Sequence, residues 1–152
     1  KSMALRHLLL LRHGEANQSS PDHLRELTGA GRKELSKSLI GAQTQAPELD
    51  AIFHSGLTRA AQTADMAAQL LAPQLQPKLM EGISPSGEVQ RFPEYLESES
   101  LSAVLLVTHN PFVEELVIFL SGENLLIKTG ALVCLEVDFL SRGCCNISFI
   151  QN

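Results

Sequence analysis

Arginine and histidine side chains follow two largely apolar runs of this sequence. Arg12 and His13 come directly after the run at residues 7–11, and His109 stands just beyond the run at residues 103–107. Short apolar runs that end abruptly are typical of strands buried on both faces of a sheet. Open α/β sheets bind their ligands at the carboxyl ends of such strands, where the connecting loops surround a crevice. We therefore predict that these three side chains line one crevice.

A further arginine, Arg59, falls in the first turn of a helix predicted over residues 58–71. A positive side chain there opposes the helix dipole, and an anion bound at the helix start would reverse that penalty. Arginine holds anions in planar bidentate geometry, and free amides at helix starts also bind them. Taken singly, such residues are more often solvated loop or capping residues. Their recurrence after successive strands instead favours a site for a dianion, with phosphate as the best candidate.

Alternating strand and helix signals predict the scaffold that would position these residues. Because βαβ connections make neighbouring strands parallel, we predict a single-domain, three-layer α/β/α fold over residues 1–152, with a mostly parallel central sheet and an antiparallel edge hairpin. The expected strands lie at residues 7–11, 50–54, 103–107, 131–137 and 145–150, and the expected helices at residues 31–40, 58–71, 88–96 and 111–121.

Individual residues indicate where the predicted helices begin and which face they bury. Thr28 is a candidate N-cap for the first helix, whose buried face should carry Leu35, Leu39 and Ile40. In the third helix, Pro93 must lie at a kink or a restart. For the last helix we expect Asn110 as the N-cap, Pro111 in the first position and Gly122 at the end.

The bulk composition limits the classes of function. The chain has 152 residues, 44% of them hydrophobic, and a net charge of -5, so its overall field attracts neither nucleic acid nor anionic lipid. Three cysteines, two of them adjacent, are poorly suited to a disulfide framework and indicate a reducing compartment. We find no apolar run of membrane-spanning length and no signal-peptide core, which favours the cytoplasm. The spacing of His, Cys and acidic residues predicts no metal site, and we expect no cofactor.

Four short motifs resemble, in order, those of the histidine phosphatase (phosphoglycerate mutase-like) superfamily, and the resemblance covers most of the chain. The motifs are Leu-Arg-His-Gly-Glu at 11–15, Leu-Thr with a glycine at 27–31, Ser-Gly-Leu-Thr-Arg-Ala-Ala-Gln-Thr-Ala at 55–64 and Val-Thr-His-Asn-Pro at 107–111. The chain length and the loop at residues 81–88 look most like the small SixA-type phosphohistidine phosphatases of that superfamily. Larger relatives insert helices over the pocket, and this chain has no room for a sizeable cap.

The resemblance implies catalysis in two steps. His13 would attack phosphorus and become a phosphohistidine, which water would then hydrolyse. A backbone carbonyl would hold the other ring nitrogen of His13 and so select its tautomer. Arg12, Arg59 and His109 would bind the phosphoryl oxygens as charge spreads over them, with His109 either protonated or neutral.

Further site residues are expected beside the motifs. Glu81 is the candidate proton donor because it matches by position the acidic residue of larger family members, with Glu88 and then Glu15 as alternatives. A leaving imidazole can take its proton from water, so a phosphohistidine substrate tolerates an imperfect donor. Phosphate or substrate contacts are also expected from Asn17, Ser19 and Asn110, although loop solvation competes with that role for the first two.

The sequence thus predicts a signal-transduction phosphatase that hydrolyses phosphohistidine on a protein of the histidine phosphotransfer type. Its partner would be that phosphoprotein, with neither nucleic acid nor membrane involved, and its oligomeric state is left open. An uncovered pocket suits a phosphorylated protein side chain better than a small sugar phosphate. One alternative is a phosphomonoesterase that acts on a small metabolite. Another is a non-catalytic phosphoprotein-binding module, which would need the cations alone and not the full set of arginines and histidines.

Overall fold

A mixed sheet of six strands forms the centre of the computed structural model, which describes residues 4–96 and 100–152. The strands are β1 His7–Arg12, β2 Ala51–His54, β3 Lys78–Leu79, β4 Ala103–Thr108, β5 Leu132–Val137 and β6 Cys145–Gln151. Their order across the sheet is β3-β2-β4-β1-β5-β6. The pairs β1/β4, β2/β4 and β2/β3 are parallel, whereas β5 pairs antiparallel with both β1 and β6. The predicted edge hairpin is therefore confirmed.

Helices cover both faces of this sheet. They are α1 Gly29–Ala42, α2 Thr58–Leu71, α3 Phe92–Leu96 and α4 Phe112–Ser121, with short 3-10 helices at Asp22–Leu24 and Val89–Arg91. Along β1, Leu9 and Leu11 pack in one apolar cluster with α1 and α2, while Leu8 and Leu10 pack in another with α3 and α4. Burial on both faces explains why β1 and β4 are continuously apolar, and the predicted three-layer α/β/α fold is confirmed.

Helix α1 has the predicted cap, but it starts two residues earlier and ends two residues later than predicted, and it buries a narrower face. Thr28 caps it, because its Oγ1 accepts a hydrogen bond of 2.9 Å from the Gly31 amide. Leu35 and Leu39 are fully buried, whereas Ile40, which we placed on the same face, is 52% exposed. Consecutive helical residues differ by about 100° around the axis, so Ile40 turns away from the sheet when Leu39 faces it.

Helix α4 corrects the prediction that Asn110 caps it. The helix begins at Phe112, Pro111 occupies the N-cap position, and no side chain caps the first turn. Instead of accepting from the helix amides, Asn110 uses its Nδ2 group to donate a hydrogen bond of 2.9 Å to the Glu114 carboxylate. The end of α4 at Gly122 is as predicted, since this residue adopts a positive φ of 78°.

The connection between α2 and β4 contains the other differences. The two-residue strand β3 was not predicted, because Lys78 and Leu79 give no alternating pattern and both are exposed. The helix expected over residues 88–96 consists of a 3-10 turn followed by α3 as far as Leu96, and residues 97–99 lie outside the described part of the chain. Pro93 lies in the first turn of α3, where a missing N–H group removes no helical hydrogen bond, so the restart is confirmed.

Among the described helices, none combines the length and the apolar character needed to cross a membrane.

Candidate active site

Strand pairing brings two histidines together at the carboxyl ends of the central strands. In the parallel register of β1 and β4, Arg12 lies opposite Thr108, so His13 and His109 each follow a paired position. Both rings are buried, and their centroids are 4.9 Å apart with an angle of 48° between the planes. The predicted convergence of the two histidines is therefore what the structure shows.

The tautomer of His13 is set by its neighbour in the chain. His13 Nδ1 lies 2.7 Å from the Gly14 carbonyl oxygen, which can only accept, so Nδ1 carries the proton and Nε2 has a free lone pair. Burial lowers the pKa of His13 to about 4, helped by the Arg59 and Arg12 charges and opposed by the hydrogen bond to Gly14. The ring is neutral at pH 7, and the predicted backbone carbonyl partner is confirmed.

His109 is held by a serine that follows β2. Its Nε2 shares a hydrogen bond of 2.6 Å with Ser55 Oγ, while its Nδ1 is buried without a partner within residues 4–96 and 100–152. Burial, then the charges of His13 and Arg59, lowers the pKa of His109 to about 3. The sequence left the protonation state of His109 open, and the surroundings seen here favour the neutral ring at pH 7.

The guanidinium of Arg12 contacts a chain segment remote in sequence. Its Nη1 donates a hydrogen bond of 2.8 Å to the carbonyl of Ile127, which precedes β5. On the other side of the same residue, the Ile127 amide donates to Glu114 Oε2 at 2.8 Å. Burial lowers the pKa of Arg12, and the nearby Glu114 charge opposes that effect. Arginine side chains are cationic at neutral pH, so the guanidinium carries its charge here.

Arg59 is 5% exposed and its guanidinium is engaged by an acidic residue of the loop after β1. Arg59 Nη1 donates to the Asp22 carbonyl at 3.0 Å, and Nη2 lies 3.4 Å from Asp22 Oδ2. Asp22 also accepts from Arg25 Nη1 at 3.0 Å. These two arginines, Arg25 first, lower the pKa of the Asp22 carboxyl. Asp22 is thus an anion held between two cations.

A buried threonine connects the motif at residues 11–15 with the motif at residues 55–64. Thr63 Oγ1 accepts from the Gly14 amide at 3.2 Å and donates to the Arg59 carbonyl at 2.8 Å. The backbone beside His13 is therefore tied to the first turns of α2. Space there is limited, because a Cβ atom on Gly14 would lie 2.5 Å from Leu35 Cδ1. Glycine at position 14 allows the strand end and α1 to approach this closely.

These side chains surround an open cavity of about 460 Å³ at the carboxyl ends of β1 and β4. Its wall contains Arg12, His13, Arg59, His109 and Asn110, all of which were predicted as site residues. It also contains Glu15, which was the last of the three candidate proton donors. Sequence reasoning missed Asp22, Arg25 and Gln18, although charged residues in a loop that follows a strand end are a usable signal. The lining residues are Arg12, His13, Glu15, Ala16, Gln18, Asp22, Arg25, Arg59, Pro85, His109, Asn110 and Thr129.

The structure places Glu81 and Glu88 outside this cavity, in contrast to our expectation. Ile83 is fully buried and its carbonyl accepts a hydrogen bond of 2.8 Å from Thr108 Oγ1, which anchors the loop. Anchored in this way, the loop offers Pro85 to the cavity, while Glu81 is exposed to solvent and Glu88 lines a different groove beside α4. The carboxylates that do line the cavity come from the loop after β1.

The structure likewise corrects the placement of Asn17 and Ser19. Both are exposed and absent from the cavity wall, and Ser19 Oγ donates to Asn17 Oδ1 at 2.6 Å. The Asn17 carbonyl accepts from Arg25 Nε at 2.6 Å. Their contacts therefore stabilise the loop that carries Arg25, which is the loop role weighed against phosphate contact above.

Other reactive side chains lie apart from this cavity. Cys134 and Cys145 are buried free cysteines, and burial raises the pKa of each thiol to about 11. Such thiols remain protonated at neutral pH. In the described part of the chain, no group of three or more His, Cys, Asp or Glu residues is arranged to hold a metal ion.

Comparison with known proteins agrees with this geometry. Residues 8–95 match the sequence model of the Histidine phosphatase superfamily (branch 1), and the chain belongs to this superfamily of enzymes. It is 32% identical over 134 residues to the phosphohistidine phosphatase SixA homolog of Haemophilus influenzae, across 77% of this chain and 78% of that protein. With the phosphohistidine phosphatase SixA of Escherichia coli it shares 27% identity over 145 residues, across 91% and 90% of the two chains.

A solved structure of similar shape supports the same assignment. The structure of the protein histidine phosphatase SixA complexed with tungstate superposes with a TM-score of 0.86 at 25% identity. The superposition covers 96% of each chain. The resemblance drawn from the four motifs is therefore confirmed at the level of the superfamily and of the SixA fold.

Proposed function

We propose that this protein hydrolyses phosphohistidine on a histidine-containing phosphoprotein, through a phosphohistidine intermediate on His13. The observation that carries the proposal is the neutral, buried His13, whose Nε2 lone pair lies beside His109 and two guanidinium groups in an open cavity. The two curated relatives, both named phosphohistidine phosphatases, support the choice of substrate class.

Arg12, Arg59 and His109 bind the incoming phosphoryl dianion in this proposal. If Ser55 Oγ donates to His109 Nε2, the proton of the neutral ring lies on Nδ1, which has no acceptor in the described structure. That N–H group is the unpartnered donor of the ring, and it contacts a phosphoryl oxygen only if the ring moves when the dianion binds, because Nδ1 is buried in the free enzyme. Arg59 becomes available when the phosphoryl oxygens replace the Asp22 carboxylate on its guanidinium, since both are anions of similar geometry.

In the first step, His13 Nε2 attacks phosphorus in line. The P–N bond of the substrate breaks, its electron pair goes to the leaving imidazole, and that nitrogen takes a proton from water. Asp22 lines the cavity, but its pKa is lowered by Arg25 and Arg59, so it is ionised at neutral pH and cannot supply this proton. An imidazole leaving group is compatible with such a site, whereas an alkoxide needs a stronger acid.

In the second step, water attacks phosphorus on the opposite side from His13. The P–Nε2 bond breaks, the electron pair returns to His13, and the water proton leaves with phosphate or passes to solvent. The free lone pair of Nε2 is restored because the Gly14 carbonyl continues to hold Nδ1–H. Positioning and electrostatic stabilisation of the phosphoryl oxygens therefore account for most of the catalysis.

The shape of the cavity favours a side chain presented by another protein. The loop at residues 81–88 contributes Pro85 alone to the wall, so nothing in that loop closes over the ligand. A small phosphorylated metabolite would find few groups to hold its non-phosphate part. A protein substrate supplies binding energy through contacts outside the cavity.

The test compares ³²P-labelled phosphohistidine on a histidine phosphotransfer domain with a sugar phosphate and with p-nitrophenyl phosphate. We expect kcat/KM for the phosphoprotein to exceed the others by at least about 10², and acid-labile label to be trapped on the wild-type enzyme but not on His13→Ala. A preference for the sugar phosphate would instead establish a small-molecule phosphomonoesterase. Binding of the phosphoprotein without turnover would establish a binding module.

A further inference from the structure

We infer that Glu114 is a positioning residue for Arg12, acting through both backbone groups of Ile127. Glu114 lies in the first turn of α4 and is absent from the cavity wall. The inference rests on the proposed function, because it assigns Glu114 a task only if Arg12 binds the phosphoryl group. Glu114 would thus support anion binding even though its own negative charge repels the anion.

The contacts form one continuous chain from the carboxylate to the guanidinium. Glu114 Oε2 accepts hydrogen bonds from the Ile127 amide at 2.8 Å and from Asn110 Nδ2 at 2.9 Å. The Ile127 carbonyl in turn accepts from Arg12 Nη1 at 2.8 Å. The carboxylate therefore holds the residue whose carbonyl orients the arginine.

The orientation of the Arg12 guanidinium depends on the Ile127 carbonyl, because no second protein acceptor bonds to this side chain among the described residues. Within the described residues, the Ile127 carbonyl is the single protein acceptor of the Arg12 side chain, and Arg12 Nε is buried without a partner. A guanidinium oriented by one hydrogen bond moves when the acceptor moves. The planar geometry that makes arginine a bidentate anion ligand would then be lost.

The segment that carries Ile127 needs an anchor of this kind. Residues 123–128, between α4 and β5, form neither helix nor strand, and Leu126 beside Ile127 is 93% exposed. Ile127 itself is 3% exposed, so its side chain packs in the core while its amide is held by Glu114. These two attachments fix the carbonyl that Arg12 uses.

The same carboxylate also fixes the orientation of Asn110. Because Asn110 Nδ2 donates to Glu114, the Oδ1 atom is left buried without a partner in the part of the chain that the structure describes. Asn110 therefore does not offer its amino group freely to a phosphoryl oxygen. Glu114 thus orders two residues of the cavity wall, Arg12 through Ile127 and Asn110 directly, and Asn110 Nδ2 also lies 3.5 Å from the Ile127 carbonyl oxygen.

The sign of the effect on anion binding distinguishes positioning from simple charge. A negative charge near the cavity disfavours an anion, so its removal would tighten binding if charge were all that mattered. Loss of a positioning contact would instead weaken binding, because Arg12 would no longer be held in place. Glu114→Gln keeps one oxygen that can accept both hydrogen bonds without the charge, whereas Glu114→Asp keeps the charge and shortens the reach.

The experiment measures the Kd of inorganic phosphate by calorimetry for Glu114→Ala, Glu114→Gln, Glu114→Asp and the control Glu115→Ala, an exposed neighbour on α4. We expect binding about tenfold weaker for Glu114→Ala, weaker for Glu114→Asp, and within about twofold of wild type for Glu114→Gln and the control. Glu114→Ala combined with Arg12→Ala should bind no more weakly than Arg12→Ala alone. If Glu114→Ala does not fold, the Gln and Asp variants decide the matter.

Two results separate failure of this inference from failure of the proposed function. Phosphate binding by Glu114→Ala or Glu114→Asp that equals or exceeds wild type, with binding lost in Arg12→Ala, would overturn the positioning role alone. Unchanged phosphate binding in Arg12→Ala would overturn the assignment of Arg12 as a phosphate ligand, and the positioning role with it.

Discussion

The ring of His13 lies 4.9 Å from the ring of His109, centroid to centroid, and both rings are buried. Burial is the main reason that each histidine has a pKa well below 6.5, and the neighbouring arginines add to it. The site therefore brings two neutral imidazoles together with three guanidiniums, those of Arg12, Arg25 and Arg59, so its positive charge comes from the arginines. The His13 ring is therefore unprotonated on Nε2 at neutral pH, as the proposed nucleophilic role requires.

Stability should fall on acidification because of this pair. The histidine pKa is 6.5 when unperturbed, compared with about 4 for His13 and about 3 for His109 in the folded chain. Between pH 6.5 and pH 4 the unfolded chain binds more protons, so the free energy of unfolding decreases as pH falls through this window. Urea midpoints measured from pH 7.5 to pH 4 should show the decrease, with a shallower slope in His109→Gln. A midpoint independent of pH in that window would contradict the buried neutral pair.

Phosphate binding should be limited by the Asp22 carboxylate, which holds the Arg59 guanidinium in the free enzyme. The side chain of Asp22 is 65% exposed, so its ion pair is weak, and Asp22→Asn should tighten binding of inorganic phosphate by up to about fivefold. Asp65→Asn, an exposed change on α2, is the matched control and should have no effect. Weaker binding in Asp22→Asn would mean that Asp22 positions Arg59 rather than competing for it.

The carboxylate at position 81 should have little influence on catalysis, because it is exposed and lies outside the cavity wall. We expect Glu81→Gln to change kcat by less than about twofold for phosphohistidine and for an alkyl phosphate alike, since general acid catalysis requires hydrogen-bond reach. Glu15→Gln is the informative comparison, because Glu15 does line the cavity. A loss in Glu81→Gln confined to the alkyl phosphate would identify Glu81 as the proton donor after all.

The close approach of β1 and α1 should make position 14 intolerant of a side chain. Gly14→Ala would place Cβ 2.5 Å from Leu35 Cδ1 and 3.2 Å from the Gly31 carbonyl. We expect a loss of about 1–3 kcal/mol in the free energy of unfolding, as for other overpacked sites, measured by urea denaturation. Gly29→Ala in the first turn of α1 meets nothing within 4 Å and serves as the control. Equal stability of the two variants would show that the interface relaxes easily.

Elements with strong local signals could be predicted from the sequence. Helix α2 has the predicted bounds because alanines recur at helical spacing, and β1 and β4 extend one residue beyond the predicted apolar runs. The convergence of the arginines and histidines followed from the rule that βαβ units make strands parallel. Local residue patterns and one topological rule are sufficient to predict these elements and the convergence of their side chains.

The contacts that refine the site could not be predicted, because they join residues far apart in the chain. Asp22 and Arg59 are separated by 37 positions, and Arg12 and Ile127 by 115. Hydrophobic periodicity indicates local secondary structure and does not predict contacts between residues so far apart in the chain. The place of Glu81 was wrong for a related reason, since it depends on where the buried Ile83 anchors its loop.

The central pairing of β1 with β4 has a practical consequence. His13 and His109 face each other only because Arg12 and Thr108 share a register position, and a shift of one residue would turn every side chain of one strand to the opposite face. A cut in the connection between α2 and β4 would leave one histidine on each fragment. If hydrolysis recovers after the two fragments are mixed, β4 has inserted correctly between β2 and β1. Enzymatic activity would then measure correct assembly of the sheet.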